Sequence, residues 1–91
     1  MAPALPLRLD ALRDAARDIP NCPGVYIFHG EEEGIPLYIG KSVTLRNRVL
    51  AHLRNPAERR LLRRARRITW ERTAGEIGAL LLEARLIKER Y

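Results

Sequence analysis

Two tyrosines, a lysine, an arginine–histidine pair and one helical glutamate are the side chains whose types and spacing could do chemistry. Tyr26 and Tyr38 each sit in a short apolar stretch, and Lys41 follows Tyr38 by three residues. A tyrosine ordinarily titrates at about 10 and is protonated at neutral pH. A neighbouring cation lowers that value, so Lys41 could help one phenol act as a base. Arg48 and His52 are four residues apart, which puts them side by side on one face of a helix. An arginine there offers a planar fork of donors to phosphate oxygens. Glu83 follows Leu80-Leu81-Leu82, and one carboxylate can hold Mg²⁺ when water and substrate phosphate complete the shell. A base for water, a cation for the pentacoordinate phosphorus and help for the departing oxygen are what phosphodiester hydrolysis needs. Each residue also has an ordinary reading: strand tyrosines, a solvated arginine, a core-edge histidine, a surface glutamate. Only the combination is informative. The sequence contains no zinc-ligand pattern, P-loop or nucleophile elbow.

The elements that must position these residues follow from pattern. Residues 6–18 are predicted as an amphipathic helix with Leu9, Leu12, Ala16 and Ile19 on one side, ended by Pro20 and Pro23. Gly24 to His29 and Ile35 to Gly40 are predicted strands, and the polar Gly30–Gly34 connection makes them an antiparallel hairpin. Alternation puts Val25 and Ile27 on one side of the first strand and Leu37 and Ile39 on one side of the second. Tyr26 and Tyr38 then share a sheet face, between Gly24 and Gly40, which let another backbone come close. Ser42 or Thr44 can cap a helix to about Arg54, with Leu45, Val49 and Leu53 inward and Arg48 and His52 at the rim. Asn55-Pro56 breaks it. Ala57 to Arg67 reads as a second helix, burying Leu61, Leu62 and Ala65, and Ile68 to Arg72 as a third strand anchored by Trp70. The last helix runs from Thr73 through Arg90, opened by a capping box Thr73-Ala-Gly-Glu76, with Ile77, Leu80, Leu81, Ala84 and the Lys88 stem buried. Glu83 then lies to one side of that stripe, beside Leu80 and Ile87. The order ββααβα, after the first helix, gives an α+β fold: a small three-stranded, mainly antiparallel sheet covered by helices. Residues 1–20 are expected to be a helical lead-in and residues 21–91 the working domain. The helical pattern reaches Tyr91 without a cap or breaker, so more chain is expected beyond it.

Composition narrows the class. Ninety-one residues, 46% apolar, suffice for one modest core. The single cysteine, Cys22, excludes a disulfide within the chain and suits a reducing compartment. No apolar run approaches the roughly 18–20 residues of a membrane span. The net charge of +6 is unevenly spread: residues 1–40 carry three basic and six acidic side chains, residues 41–72 eleven and two, and residues 73–91 three of each. A middle segment this basic favours a polyanion, although a solvated arginine-rich helix would look the same. Arg46, Arg54, Arg59, Arg60, Arg63, Arg64, Arg66 and Arg67 are the candidates for contacting a nucleic-acid backbone. Nothing in the sequence points beyond a monomer.

Pro23-Gly24-Val25-Tyr26 followed by Leu37-Tyr38-Ile39-Gly40-Lys41 resembles the paired motifs of the GIY-YIG nuclease superfamily. The superfamily's arginine falls on Arg48, its Tyr-or-His position on His52 and its metal-binding glutamate on Glu83. The run Glu76 to Lys88 is similar to the UvrC excinuclease branch. Pro36–Ser42 and Thr73–Ala79 are closer still to its shorter Cho members. The resemblance covers residues 20–91 and implies the GIY-YIG fold, here with an extra N-terminal helix. It further implies a bacterial, cytoplasmic endonuclease that uses a single Mg²⁺ or Mn²⁺ on Glu83 to cut damaged double-stranded DNA on the 3′ side of a lesion marked by UvrB. The UvrB–DNA complex would be met through a more C-terminal part. By the same likeness, Tyr26 or Tyr38 deprotonates water, Lys41 tunes that tyrosine, Arg48 steadies the phosphorane and His52 orients water or substrate. Which tyrosine is the base stays open. The family's asparagine, about a dozen residues after the glutamate, falls beyond this chain. Two other readings remain: a non-catalytic nucleic-acid-binding module, or a GIY-YIG nuclease of another branch, such as an exonuclease-fused form.

Overall fold

Gly24–His29 (β1) and Pro36–Ser42 (β2) form an antiparallel hairpin in the computed structural model, which describes residues 4–32 and 34–90. Arg67–Arg72 (β3) pairs antiparallel with the other side of β1, giving the strand order β2-β1-β3. Around this sheet lie Ala4–Arg17 (α1), Leu45–Arg54 (α2), a 3-10 turn at Pro56–Glu58, Arg59–Arg64 (α3) and Glu76–Arg90 (α4). Gly34, at φ +82°, supplies the left-handed residue that the hairpin connection needs.

The sheet separates two apolar clusters. On one face Tyr26 and Phe28 pack with Leu12, Ala16 and Ile19 of the N-terminal segment, Leu45, Val49 and Leu53 of α2, and Leu62, Ala65 and Ile68. On the other, Val25, Ile27 and Ile39 meet Leu82 and Leu86 of α4. Burying side chains of this size stabilises by roughly 1.5–3 kcal/mol each. The larger cluster therefore fixes α1 and α2 against the tyrosine face of the sheet.

Several expectations are corrected. Leu37 does not stay with Ile39: the register shifts between Phe28 and His29, and Leu37 packs with the Tyr26 cluster. Such a bulge inserts one residue and turns its side chain to the opposite face. β2 runs to Ser42, two residues past Gly40. The arginine-rich helix is only α3, because Ala65 is already extended and the Arg66 N–H donates to the His29 carbonyl at 2.7 Å, starting β3 one residue before Ile68. Trp70 is half-exposed on the outer strand; the buried aromatics are Tyr26 and Phe28 of the central strand.

Neither Ser42 nor Thr44 caps α2 by its side chain onto the helix. Asn21 does so from across the fold, its Oδ1 accepting from the Asn47 N–H at 3.2 Å. The Cys22 carbonyl accepts from the Leu45 N–H at 3.1 Å. The predicted capping box is also absent. α4 begins at Glu76, and the Thr73 hydroxyl donates to the Gly75 carbonyl at 3.1 Å. Gly75, at φ +114°, makes the entry turn instead. On α4 the buried stripe is Ala79, Leu82 and Leu86, whereas Leu80, Leu81, Ala84, Ile87 and Lys88 are exposed. The Ile77 side chain lies outside the described residues. Three consecutive leucines, with Leu86 and Ile87 a turn later, make this helix apolar on more than one side. Its periodicity therefore named the wrong face.

Candidate active site

Four rings meet on the tyrosine face. Tyr26 and Tyr38 stack at 6.0 Å with 24° between their planes, as the β1–β2 register and the pleat require. Phe28 meets Tyr26 edge-on at 6.0 Å, and His52 of α2 closes over Tyr38 at 5.0 Å. Only Tyr38 opens to solvent: it is 39% exposed, against 2% for Tyr26 and 8% for His52. The Tyr26 hydroxyl lies 2.6 Å from His52 Nε2, while His52 Nδ1 is in hydrogen-bond contact with the Glu58 carboxylate.

This arrangement holds Tyr26 in its protonated form. Burial, and after it the adjacent Tyr38 phenol, raise its hydroxyl above the ordinary tyrosine range. Arg48 pulls the other way and Glu58 adds to the rise. A buried phenol that keeps its proton is a donor and a structural partner. The two tyrosines, equivalent in sequence pattern, are thus unequal in environment.

Gly40 and Gly24 permit the packing for different reasons. A Cβ on Gly40 would overlap the Cζ and hydroxyl oxygen of Tyr26 and lie 2.8 Å from Tyr38 Cε1. A Cβ on Gly24 would strike the Glu71 carbonyl of β3 and Cδ1 of Leu45. Close backbone approach therefore holds at Gly24. At Gly40 the close neighbours are phenol rings.

Arg48 lies where two shallow grooves meet. One, about 180 Å³, is lined by Lys41, Ser42, Val43, Thr44, Arg48, Glu76 and Ala79. The other, about 100 Å³, is lined by Arg48, Ala51, His52, Asn55 and Glu58. Lys41 stands opposite Val25 in the strand register, so the pleat directs it away from the tyrosine face. Glu83 is half-buried, and Glu76, Ala79 and Glu83 follow one another at helical spacing along one side of α4. The structure thus brings Tyr26, Tyr38, Arg48 and His52 together, and sets Lys41 and the α4 carboxylates on the side where that helix meets β2.

Several of the candidate DNA-contacting arginines border two adjoining pockets, with Arg63 on both. Arg54, Arg59 and Arg63 border a pocket of about 350 Å³ with Leu9, Leu53 and Leu62. Arg63, Arg64 and Arg66 border another near Glu31 and Leu37. Arg66 donates to Glu31 at 3.0 Å. Arg60 and Arg67 are exposed and Arg46 half-buried.

Glu58 is the residue that the sequence reading passed over. Its signal was present, an acid six residues after His52 and just past the Asn55-Pro56 break. Only the 3-10 turn makes that separation a contact.

Comparison with known proteins places this geometry among relatives. Residues 22–91 match the family described as the UvrC-like GIY-YIG domain. Excinuclease Cho of Escherichia coli is 66% identical over 79 residues, 87% of this chain and 27% of that protein. The UvrABC system protein C of Caldicellulosiruptor saccharolyticus is 37% identical over 82 residues, 86% of this chain and 14% of that protein. The chain therefore spans about a quarter of the length of the first of these and less of the second. Among solved structures, the N-terminal GIY-YIG endonuclease domain of UvrC from Thermotoga maritima, bound to magnesium as its catalytic divalent cation, superposes with a TM-score of 0.77 at 34% identity. That match covers 89% of this chain and 91% of the other.

Proposed function

Since the chain belongs to the UvrC-like GIY-YIG endonuclease domain family, we propose that it hydrolyses phosphodiester bonds of duplex DNA and serves the 3′-side incision of nucleotide excision repair in the bacterial cytoplasm. The observation that carries the reading is the asymmetric tyrosine pair, one phenol open to water and stacked on a buried one held by His52.

In this reading Tyr38, having first given its own proton to solvent, takes the proton of the attacking water as a phenolate and returns to the neutral phenol, because it alone of the pair reaches solvent. Tyr26 stays protonated and braces the Tyr38 ring from below. Arg48, between the two grooves, contacts the non-bridging phosphate oxygens as charge builds on them. Lys41, directed away from the phenols, is better suited to a neighbouring phosphate than to tuning a tyrosine.

The donor set fits a hard divalent cation that keeps most of its water. Glu83 supplies one carboxylate, and no cluster of three or more metal-ligating side chains occurs among the described residues. Mg²⁺ or Mn²⁺ held there would supply charge neutralisation at the phosphate and ease departure of the leaving oxygen. Residues 21–91 would be the nuclease unit and residues 1–20 a lead-in, of which Leu12, Ala16 and Ile19 pack into its core. The lesion-marking partner is proposed to be the UvrB–DNA complex, met through regions of the relatives that this chain does not span.

The test is nicking of supercoiled plasmid in Mg²⁺ or Mn²⁺ by the wild type and by Glu83→Gln, with DNA binding measured alongside. Metal-dependent nicking lost in the variant, with binding kept, supports the proposal. Equal nicking by both removes Glu83 from the chemistry. Binding without nicking by either favours the binding-module reading.

A further inference from the structure

The contact between Glu58 and His52 settles which way the hydrogen bonds of the buried cluster run. An ionised carboxylate carries no proton and can only accept, so Nδ1 of His52 must carry the hydrogen between them. A neutral imidazole has one N–H, which leaves Nε2 bare. Nε2 can then only accept, and the Tyr26 hydroxyl 2.6 Å away must donate to it. The direction of the Tyr26 hydroxyl is thus set from outside the aromatic cluster, through one imidazole.

The local sequence builds this contact. His52 lies in the last turn of α2, and Asn55 ends that helix and caps the next turn, its Oδ1 accepting from the Ala57 N–H at 3.0 Å. The Glu58 N–H donates to the Asn55 carbonyl at 3.1 Å. The turn brings Glu58 back under the His52 ring, half-buried, on the groove that Arg48 also lines. A half-buried carboxylate desolvates at a cost unless it is hydrogen-bonded, so its placement on His52 reflects a paired group and not a solvated one.

We propose that Glu58 is a positioning residue of the nuclease site. Through His52 it fixes the Nδ1–H tautomer, makes the Tyr26 hydroxyl a donor to Nε2, and so holds the ring on which Tyr38 stacks. Glu58 touches neither substrate nor metal. Its catalytic part of the claim rests on the nuclease reading; its tautomer part does not. Loss of the outer partner of a metal-ligating histidine typically lowers affinity or activity on the order of 10–100-fold, and a loss of similar size is expected for the partner of His52.

The experiment has two arms. Long-range nitrogen–proton correlation spectra of ¹⁵N-histidine-labelled protein report the tautomer directly, and a His52→Phe sample identifies which of the two histidines, His29 or His52, gives each signal set. At a pH where the ring is neutral, wild type is expected to show protonated Nδ1 and bare Nε2. Glu58→Gln is expected to lose that preference while its melting temperature stays close to wild type. A wild-type spectrum with bare Nδ1 overturns the proposal without any variant and whether or not the protein cuts DNA. In the second arm, single-turnover nicking should fall on the order of 10–100-fold in Glu58→Gln with the KM for plasmid unchanged. In a His52→Phe background the same change should have no further effect. An undiminished rate in Glu58→Gln, or an equal further loss without His52, overturns the positioning role.

Discussion

Gly40→Ala is the substitution whose consequence the structure specifies most sharply. Gly40 has no positive φ; that conformation occurs among the described residues only at Gly34 and Gly75. An alanine there meets no backbone penalty, and in open space it would stabilise by about 0.4–1 kcal/mol through the unfolded chain. Here the added methyl overlaps the Cζ and hydroxyl oxygen of Tyr26 and crowds Tyr38 Cε1. Tyr26 cannot retreat, because Phe28 lies against its edge and the buried cluster is behind it. Overpacking of this kind costs roughly 1–3 kcal/mol. If the ring tilts enough to break its bond to His52, the buried nitrogen loses its partner for about 1–3 kcal/mol more. The total, about 2–6 kcal/mol, is a large share of the roughly 5–14 kcal/mol expected for a domain of this size. At about 4–8 °C per kcal/mol, the melting temperature should fall by at least ~8 °C. Thermal unfolding followed by circular dichroism measures it, with the near-ultraviolet tyrosine signal as a second readout. A shift of less than about 3 °C, with that signal intact, would mean that the phenol does not lie over Gly40, and the argument for the tyrosine pair would fail with it.

Three more outcomes follow from the same contacts. Asn21→Ala should cost about 1 kcal/mol in urea unfolding, because Asn21 accepts from the third amide of α2, while Thr44→Ala should show no comparable cap loss; the reverse order would refute the long-range cap. The raised titration of Tyr26 means that the unfolded chain ionises this phenol first, so its stabilising contribution is complete below about pH 10 and declines above it. In Tyr26→Phe the alkaline loss of stability should be correspondingly shallower, and equal slopes in the two proteins would contradict the buried environment. DNA binding should weaken steeply with salt, and neutralising Arg60 or Arg67 should flatten the dependence of log K on log salt by about one counterion each; a flat response in the wild type would remove the backbone-contact assignment.

Much of the site could be read from sequence because strand alternation is a short-range rule. One register, fixed by a six-residue hairpin connection, suffices to put Tyr26, Tyr38 and Gly40 on one face. The α2 pairing of Arg48 with His52 follows from four-residue spacing in the same way. What escaped was decided by contacts distant in sequence or by competition between elements. Asn21 caps a helix whose third amide is 26 residues away. The bulge that turns Leu37 over depends on how Pro36 pairs with His29. The α3 helix stops where β1 offers the His29 carbonyl to Arg66. On α4 the helix is apolar on several sides, and the small Ala79, pressed to near-complete burial, marks the side the sheet selected. The Asn55-Pro56 break marked a new turn at Glu58, but only its 3-10 geometry folds that acid under His52. The unequal burial of the two tyrosines likewise depends on α2 closing over one of them.

The central claim is that the solvent-facing phenol at Tyr38, not the buried one, accepts the proton from water. Single-turnover nicking of plasmid by Tyr38→Phe tests it most directly. Removing a general base lowers a rate by on the order of 10²–10⁴-fold, so the variant should lose at least about a hundredfold while its melting temperature stays near that of the wild type. A Tyr38→Phe protein that folds normally and nicks at the wild-type rate would contradict the account.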